Sequence, residues 1–307
     1  MPIINGMNND EVKYFDIFEY VSRIKLDSYV VDHAEETNQA FDKYMKELLK
    51  YDPYAVIFYL IDNFYKEVIS SQQIENHFIR PDLLADDVFF DTLNISHARI
   101  HRLHEEAIKT EENKQLGYRT VPVRVSKMTP QGEVIFWKAP NPEYVKPFMD
   151  DFVRIYKTTK TSLLFSNPFI ASSLMHLLFV RIHPYNDGNG RTARLIHNIK
   201  FTESVNKIHG MKLKISPLNL SGSILLNKPT YASRLNNIYF DLEHDTNEAI
   251  NKWFEFILNM NDEQIFYNTN RINELEEAMN NLGKYKDEEK AKVLEKINKM
   301  KIKSPRI

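Results

Sequence analysis

Thirteen consecutive residues, Ile182-His183-Pro184-Tyr185-Asn186-Asp187-Gly188-Asn189-Gly190-Arg191-Thr192-Ala193-Arg194, constrain this chain more than any other stretch. They follow an apolar, helix-like run and lead into another, Leu195-Ile196-His197-Asn198-Ile199-Lys200, so they read as a tight link between helices. Only 8 glycines occur in 307 residues, yet Gly188 and Gly190 fall one residue apart here. Glycine is what a loop needs where its backbone must approach a ligand closely. A helix starting near Gly190 aims unpaired N–H groups and the positive end of its dipole back at the loop, which makes an anion site. Arg191 and Arg194, three apart, lean over the same first turn. With His183 as a proton-transfer group and Asp187 as a hard oxygen ligand, the stretch reads as phosphoryl or nucleotidyl chemistry.

The rest of the composition narrows the partners. Apolar residues make up 43% of the chain and charged ones 27%, the balance of a soluble globular protein. A net charge of −2 argues against broad electrostatic binding to nucleic acid or to an anionic membrane. The absence of cysteine excludes disulfides and thiolate metal sites and fits a reducing cytoplasm, the expected location. Residues 1–10 show no basic region followed by an apolar core, so no signal peptide is expected. Leu163 to Val180, the most apolar segment, is interrupted by Ser166, Asn167, Pro168, Ser172, Ser173 and His176, which predicts a buried helix and no membrane span.

Read in order, residues 1–35 give no clear period and are expected to form an arm with one helix at most. Ala40, Tyr44, Leu48 and Leu49 predict a helix over 36–51, ended by Asp52-Pro53. A second helix runs from about Tyr54 to Ser71 and leads into Gln72-Gln73-Ile74-Glu75-Asn76, where a glutamate taken alone reads as a solvated side chain. A long helix is expected over 91–114. His97, His101 and His104 share one face of it, but histidines on consecutive turns span about 10 Å of rise and do not easily share one tetrahedral ion, so packing histidines are expected there. Val121–Val125 and Val134–Trp137 flank Thr129-Pro130-Gln131-Gly132 and predict a β-hairpin over 119–138. Helices follow over 143–158, with Val145, Phe148, Met149, Phe152, Val153 and Tyr156 on one face, and over 168–181, where His176 is read as a hydrogen-bonded core residue. After the glycine-rich stretch a helix continues to about Val205. A loop with one short helix covers 212–226, Asn227-Lys228-Pro229 opens another helix, and Asp245-Thr246-Asn247 caps one carrying Ile250, Trp253, Phe254, Ile257 and Leu258. The last forty-odd residues step apolar positions by three and four among many charges, the texture of a helical hairpin or a partner-binding appendage.

The stretch from His183 to Arg194 resembles the signature of the Fic family, His-Pro-Phe-x-Asp/Glu-Gly-Asn-Gly-Arg-x-x-Arg, at every position but Tyr185, which keeps an aromatic ring where the family usually has Phe. Ser71, Glu75 and Asn76 resemble the inhibitory motif, Ser/Thr-x-x-x-Glu-Gly/Asn, that lies N-terminal to the core in one Fic class. Extending over roughly residues 55–260, the resemblance implies a mainly α fold, a Fic-type helical bundle with one β-hairpin flap. The expected division is an N-terminal arm and helix over 1–53, a Fic domain over 54–260 with an inhibitory helix (54–76), flap (119–138) and core motif (183–194), and a C-terminal helical appendage over 261–307.

The same resemblance implies protein AMP transfer from ATP. His183 is then the general base toward a Ser, Thr or Tyr hydroxyl of a target, and Pro184 fixes its backbone. Asp187 holds Mg²⁺, and Gly188, Asn189 and Gly190 line an anion hole in which Asn189 contacts the α-phosphate. Arg191 faces the β-phosphate and Arg194 the γ-phosphate, with Thr192 and Ala193 between them; Tyr231 stands where a tyrosine pair often frames the adenine. Glu75, aided by Ser71, occupies Arg194 and so inhibits. Val134, Ile135, Phe136 and Trp137 form the flap strand that docks the target, although a hairpin that merely covers core fits the same residues. The expected partners are ATP, an unidentified target protein and a second copy of this chain. Three alternatives stay open: removal of AMP by the same site, transfer of another nucleotide or a phosphocholine group, and a non-catalytic nucleotide-binding interaction module.

Overall fold

The computed structural model describes residues 14–51, 53–77, 94–109, 116–129, 132–158 and 162–272. Its centre is helix α7, Pro168–Ile182, which is buried along its whole length. Asn167 caps it, the side-chain oxygen accepting the N–H groups of Phe169 and Ile170, and Pro168 occupies the first turn, where no N–H is needed. Helix α8, Asn189–His209, packs along α7 and ends at Gly210, which adopts the left-handed conformation that terminates helices. The glycine-rich stretch is the turn between these two helices. It is therefore presented at one end of the most buried pair in the molecule.

The remaining helices wrap this pair. In chain order they are α1 (Ile17–Ser22), α2 (Ser28–Leu48), α3 (Pro53–Ile74), α4 (His97–Ala107), α5 (Pro142–Tyr156), α6 (Leu163–Ser166), α9 (Leu220–Leu226), α10 (Lys228–Asn236) and α11 (Asn247–Arg271). α3 and α4 pack on α8, α5 packs on α7, and α2 lies along α11. Among the described residues the only strands are β1 (Arg124–Thr129) and β2 (Gly132–Lys138), an antiparallel hairpin. Val125 pairs Trp137 but Ser126 pairs Ile135, so Phe136 is an extra residue, a bulge. In a regular strand Ile135 and Trp137 would share a face; with the bulge between them Trp137 is buried and Ile135 is exposed. A mainly helical bundle with one hairpin is thus the fold.

Several boundaries differ from the sequence reading. α2 begins at Ser28 and buries Val30, Ala34, Thr37, Phe41, Tyr44, Met45 and Leu48, while Ala40 and Leu49 face outward. Thr37 in the middle of the buried stripe hides its period. α1 and α2 belong to the common core: Phe15 meets Phe148 and Phe240 at 5.1 and 4.9 Å, and the Tyr20 hydroxyl donates to Tyr239 O. α4 starts only at His97, because the Ser96 hydroxyl accepts the Arg99 N–H and sets the cap. α11 continues through position 261 to Arg271 without a break. The helical hairpin expected toward the C-terminus falls on 273–307, outside the described residues, as do residues 1–13. No described helix is long and apolar enough to cross a membrane.

Candidate active site

The turn between α7 and α8 is built from backbone that its sequence singles out. His183 ends α7 with φ 52° and ψ 60°, left-handed for a residue that is not glycine, and its N–H bonds Phe179 O. Gly188, the N-cap of α8, has φ 75°, and a Cβ there would meet Ile108 Cγ2 at 2.5 Å. Both the conformation and the space demand glycine. Between them, Tyr185 N–H donates to Asn189 Oδ1 at 2.9 Å and Asn189 Nδ2 donates to Tyr185 O at 2.8 Å, a reciprocal clamp that closes the loop. The Asn189 side chain, expected at a phosphate, is buried and holds the loop instead. Thr192 Oγ1 donates to Gly188 O, and Ala193 is buried against the core. No side chain caps the first turn of α8, which leaves the positive end of a 21-residue helix at Asn189, Gly190 and Arg191.

A tier of histidines supports the turn from below. His104 stacks on Tyr185, ring centroids 3.5 Å apart and planes 3° from parallel, and its Nε2–H donates to Asp187 O at 2.9 Å. His101 Nδ1 shares a hydrogen bond of 2.9 Å with the Tyr185 hydroxyl, and His97 bonds the Tyr118 hydroxyl and Asp150. The three positions that a zinc reading would group thus have three separate sets of partners. Burial pushes His104 down to about 4, so it is neutral near pH 7.

Asp187 and His183 lie on the other side of the turn. Asp187 has a side chain 73% exposed, with Oδ1 accepting the Gly188 N–H and lying 3.5 Å from Arg191 Nη2. His183 is half-buried. Burial lowers its pKa to about 4, with the Arg119 and Arg181 cations adding to the effect and the Val180 carbonyl and Asp187 opposing it. Nδ1 lies 3.3 Å from Val180 O, an acceptor, so the proton sits on Nδ1 and the Nε2 lone pair is the one left for chemistry. Proton abstraction needs that form.

The end of α3 closes the side of the turn on which Arg194 lies. Asn76 N–H bonds Gln73 O and His77 N–H bonds Gln72 O, the Schellman pair, with Asn76 left-handed at φ 63°. Glu75 is therefore the last residue before the chain turns off the helix, and its position is set by that cap. Its Oε1 accepts from Arg194 Nη2 at 2.9 Å. Arg194, 1% exposed, is also held by Ser71, Nε donating to the hydroxyl at 2.8 Å and Nη2 to the carbonyl at 2.9 Å. A Cβ on Gly190 would come within 2.6 Å of Glu75 Oε1, so the carboxylate lies against the first turn of α8. Arg191 points elsewhere: Nη1 donates to Gln72 Oε1 and to Ala107 O, the C-terminal carbonyl end of α4. Tyr231 does not present a ring face. It is buried between His176 and Trp253, its hydroxyl 2.8 Å from His176 Nε2 and 3.5 Å from Arg194 Nη1. Below them Glu67, a buried carboxylate whose pKa burial raises, accepts from Asn198 at 2.9 Å and from the Ser221 N–H at 2.7 Å, fastening α3 to α8 and α9.

The hairpin lies beside the imidazole. The Trp137 ring meets His183 edge to face at 5.3 Å, and the Arg181 guanidinium stacks on Trp137 at 4.2 Å. Ile135 is exposed on the neighbouring part of β2; the side chains of Val134 and Phe136 lie outside the described residues. Arg119, 3% exposed, donates to His183 O from Nε at 2.7 Å, and its own N–H donates to Pro184 O at 2.9 Å. The structure thus gathers His183, Asp187, Gly188, Gly190, Arg194, Glu75, Ser71 and Trp137 at one end of the α7–α8 pair. Arg119 and Arg181 were not singled out by the sequence. The only signal for Arg119 was its place after Gly117-Tyr118 at the head of the hairpin, and its partner His183 lies 64 positions away.

Known proteins resemble this chain in part of its sequence and in its fold. The Fic/DOC family model matches residues 94–199. Two curated relatives, each called "Protein adenylyltransferase fic-1", from Caenorhabditis briggsae and Caenorhabditis elegans, are 32% identical over 101 residues, 33% of this chain. Those residues make up 18% of each relative's length. A solved Fic family protein from Desulfovibrio desulfuricans G20 superposes with a TM-score of 0.57 at 16% identity, over 79% of this chain and 74% of that one. A Fic domain containing signaling protein from Bacteroides thetaiotaomicron VPI-5482 does so with a TM-score of 0.53 at 17% identity, over 77% and 96%. The Fic/DOC family model thus spans the glycine-rich turn, within residues 94–199, and the helical fold is common to both solved Fic proteins.

Proposed function

We propose that this chain is a protein adenylyltransferase, moving AMP from ATP to a hydroxyl of a target protein and restrained by Glu75. The observation that carries the reading is the Glu75–Arg194 pair, in which an enclosed guanidinium at the start of α8 is met at 2.9 Å by a carboxylate from α3. A guanidinium in that position suits a terminal phosphate, and a carboxylate on it competes for the same donors. In the forward reaction the target oxygen attacks the α-phosphorus and its proton passes to Nε2 of His183. The bond from the α-phosphorus to the bridging oxygen breaks, and pyrophosphate leaves. The helix start at Asn189–Arg191 stabilises the charge that gathers on the phosphates. Asp187, an exposed carboxylate with hard oxygens, suits Mg²⁺, which would supply charge neutralisation of the polyphosphate. β2, with one edge that no other described strand pairs, offers backbone groups to an extended target segment.

Removal of AMP is the second reading. Glu75 uses Oε1 for Arg194, and no protein group is bonded to its other oxygen among the described residues. That oxygen is free to orient a water molecule toward a bound AMP ester. Incubation with ATP labelled at the α-phosphate separates these readings. Glu75→Gly is expected to raise incorporation at least tenfold and His183→Ala to abolish it. No incorporation by Glu75→Gly, together with release of AMP from a modified protein by the parent, would replace transfer with removal. Neither activity in either protein would leave a nucleotide-binding module.

A further inference from the structure

Arg119 binds four carbonyls from three stretches of chain. Its Nη1 donates to Val121 O at 3.1 Å, just before β1, and its Nη2 to Pro140 O, just after β2. Its Nε donates to His183 O at 2.7 Å, and its main-chain N–H to Pro184 O at 2.9 Å. Both feet of the hairpin and two consecutive peptide units of the glycine-rich turn therefore meet on one residue. We infer that Arg119 is the positioning residue for His183, a strut that fixes the left-handed backbone of the imidazole and ties it to the seating of the hairpin.

A left-handed conformation at a residue other than glycine or asparagine is held only where its surroundings over-determine it. Here the Phe179 carbonyl fixes the His183 N–H, and Arg119 fixes the two carbonyls that follow. Those bonds set where the imidazole leaves the backbone, and Trp137 of β2 borders its ring. The guanidinium meets no carboxylate: its described partners are all main-chain carbonyls. A planar fork reaches three of them at once, whereas an ammonium on a flexible stem does not reproduce that geometry. Arg119 bonds none of the groups on the phosphate side, neither Arg194, Asp187 nor Glu75. Loss of the strut should therefore act on the chemical step and spare nucleotide binding.

This role rests on the reading of His183 as the base, so the experiment has one arm that needs activity and one that does not. In the Glu75→Gly background, Arg119→Lys is expected to lower the rate of AMP incorporation at saturating ATP about 100-fold, the effect of a misplacement near 1 Å. The Kd for ATP is expected to change less than about twofold. In the activity-free arm, nitrogen NMR of histidine-labelled protein, with His183 assigned by His183→Ala, is expected to show the Nδ1–H tautomer in the parent and a tautomer mixture in Arg119→Lys. Should Arg119→Lys fail to fold, Arg119→Gln, which keeps an amide donor pair, is measured in the same way. An unchanged rate, an ATP affinity that falls in step with the rate, or an unchanged His183 nitrogen signature would each overturn the inference. If Glu75→Gly transfers no AMP at all, the adenylyltransferase reading falls, and the nitrogen spectrum still decides whether Arg119 sets the imidazole.

Discussion

On the imidazole side of the glycine-rich turn the tethers are Asn189 on Tyr185, Arg119 on His183 and Pro184, and His104 on Asp187, and all end on main-chain atoms. On the Arg194 side Ser71 holds the guanidinium through its hydroxyl and carbonyl, and the further contact with Glu75 runs between two side chains, with the carboxylate 38% exposed. The first kind opens only if the fold opens with it, because buried main-chain groups left without partners are costly. The Glu75 contact can give way to an anion that offers the same guanidinium equivalent acceptors. On the proposed function, chemistry is built on the rigid side and control on the exchangeable side.

The comparison breaks most visibly at Gly188. Gly188→Ala is expected to lower stability by about 3 kcal/mol, combining left-handed strain with overpacking against Ile108. Gly210→Ala has a similar φ of 63° but open space, and is expected to cost about 1 kcal/mol. Equal melting temperatures for the two variants would remove the case for a tightly fitted turn.

Acid is expected to act next. His183 and His104 are held down to about 4 and His197 to about 3, all chiefly by burial, while an unfolded histidine titrates near 6.5. The unfolded chain takes up these protons first, so the stability each group confers is complete above 6.5 and is lost as pH falls toward 4. Denaturant titrations at pH 7.5 and pH 5 should differ by about 1 to 2 kcal/mol for each such imidazole. A flat profile would show these rings to be better solvated than their burial implies.

Glu75→Gln tests the exchangeable side. Ser71 still holds Arg194 through its hydroxyl and carbonyl, so the melting temperature is expected to move little while ATP binds about tenfold more tightly by calorimetry. A large loss of stability with no gain in affinity would make the pair a structural brace. The smallest effect is expected at Tyr185→Phe, which removes the bond to His101 but keeps the ring stacked on His104. About 1 kcal/mol of stability should be lost, with incorporation within twofold of the parent.

What was legible in the sequence was local. The glycine-rich turn announced itself because its glycines, imidazole and carboxylate are contiguous, and the Schellman cap explains why an asparagine follows Glu75. α2 was misplaced because Thr37 sits inside its buried stripe and interrupts the apolar period. The surroundings of Arg119, Tyr231 and Asn189 were not legible because each depends on what stands opposite. Tyr231, which the resemblance sets near an adenine, is enclosed between His176 and Trp253, while Arg119 meets His183 on a distant loop. Periodicity carries no information on such pairings.

The cap at Asn76 has a further consequence. Glu75 is the final residue before the helix unwinds, and its bearing around the α3 axis is set by the count of helical residues ahead of it. Inserting or deleting one residue just ahead of it would swing the carboxylate by about 100° and carry it off Arg194. Unwinding the last turn instead would free Glu75 from that bearing, so the contact with Arg194 lasts only while the α3 end stays capped.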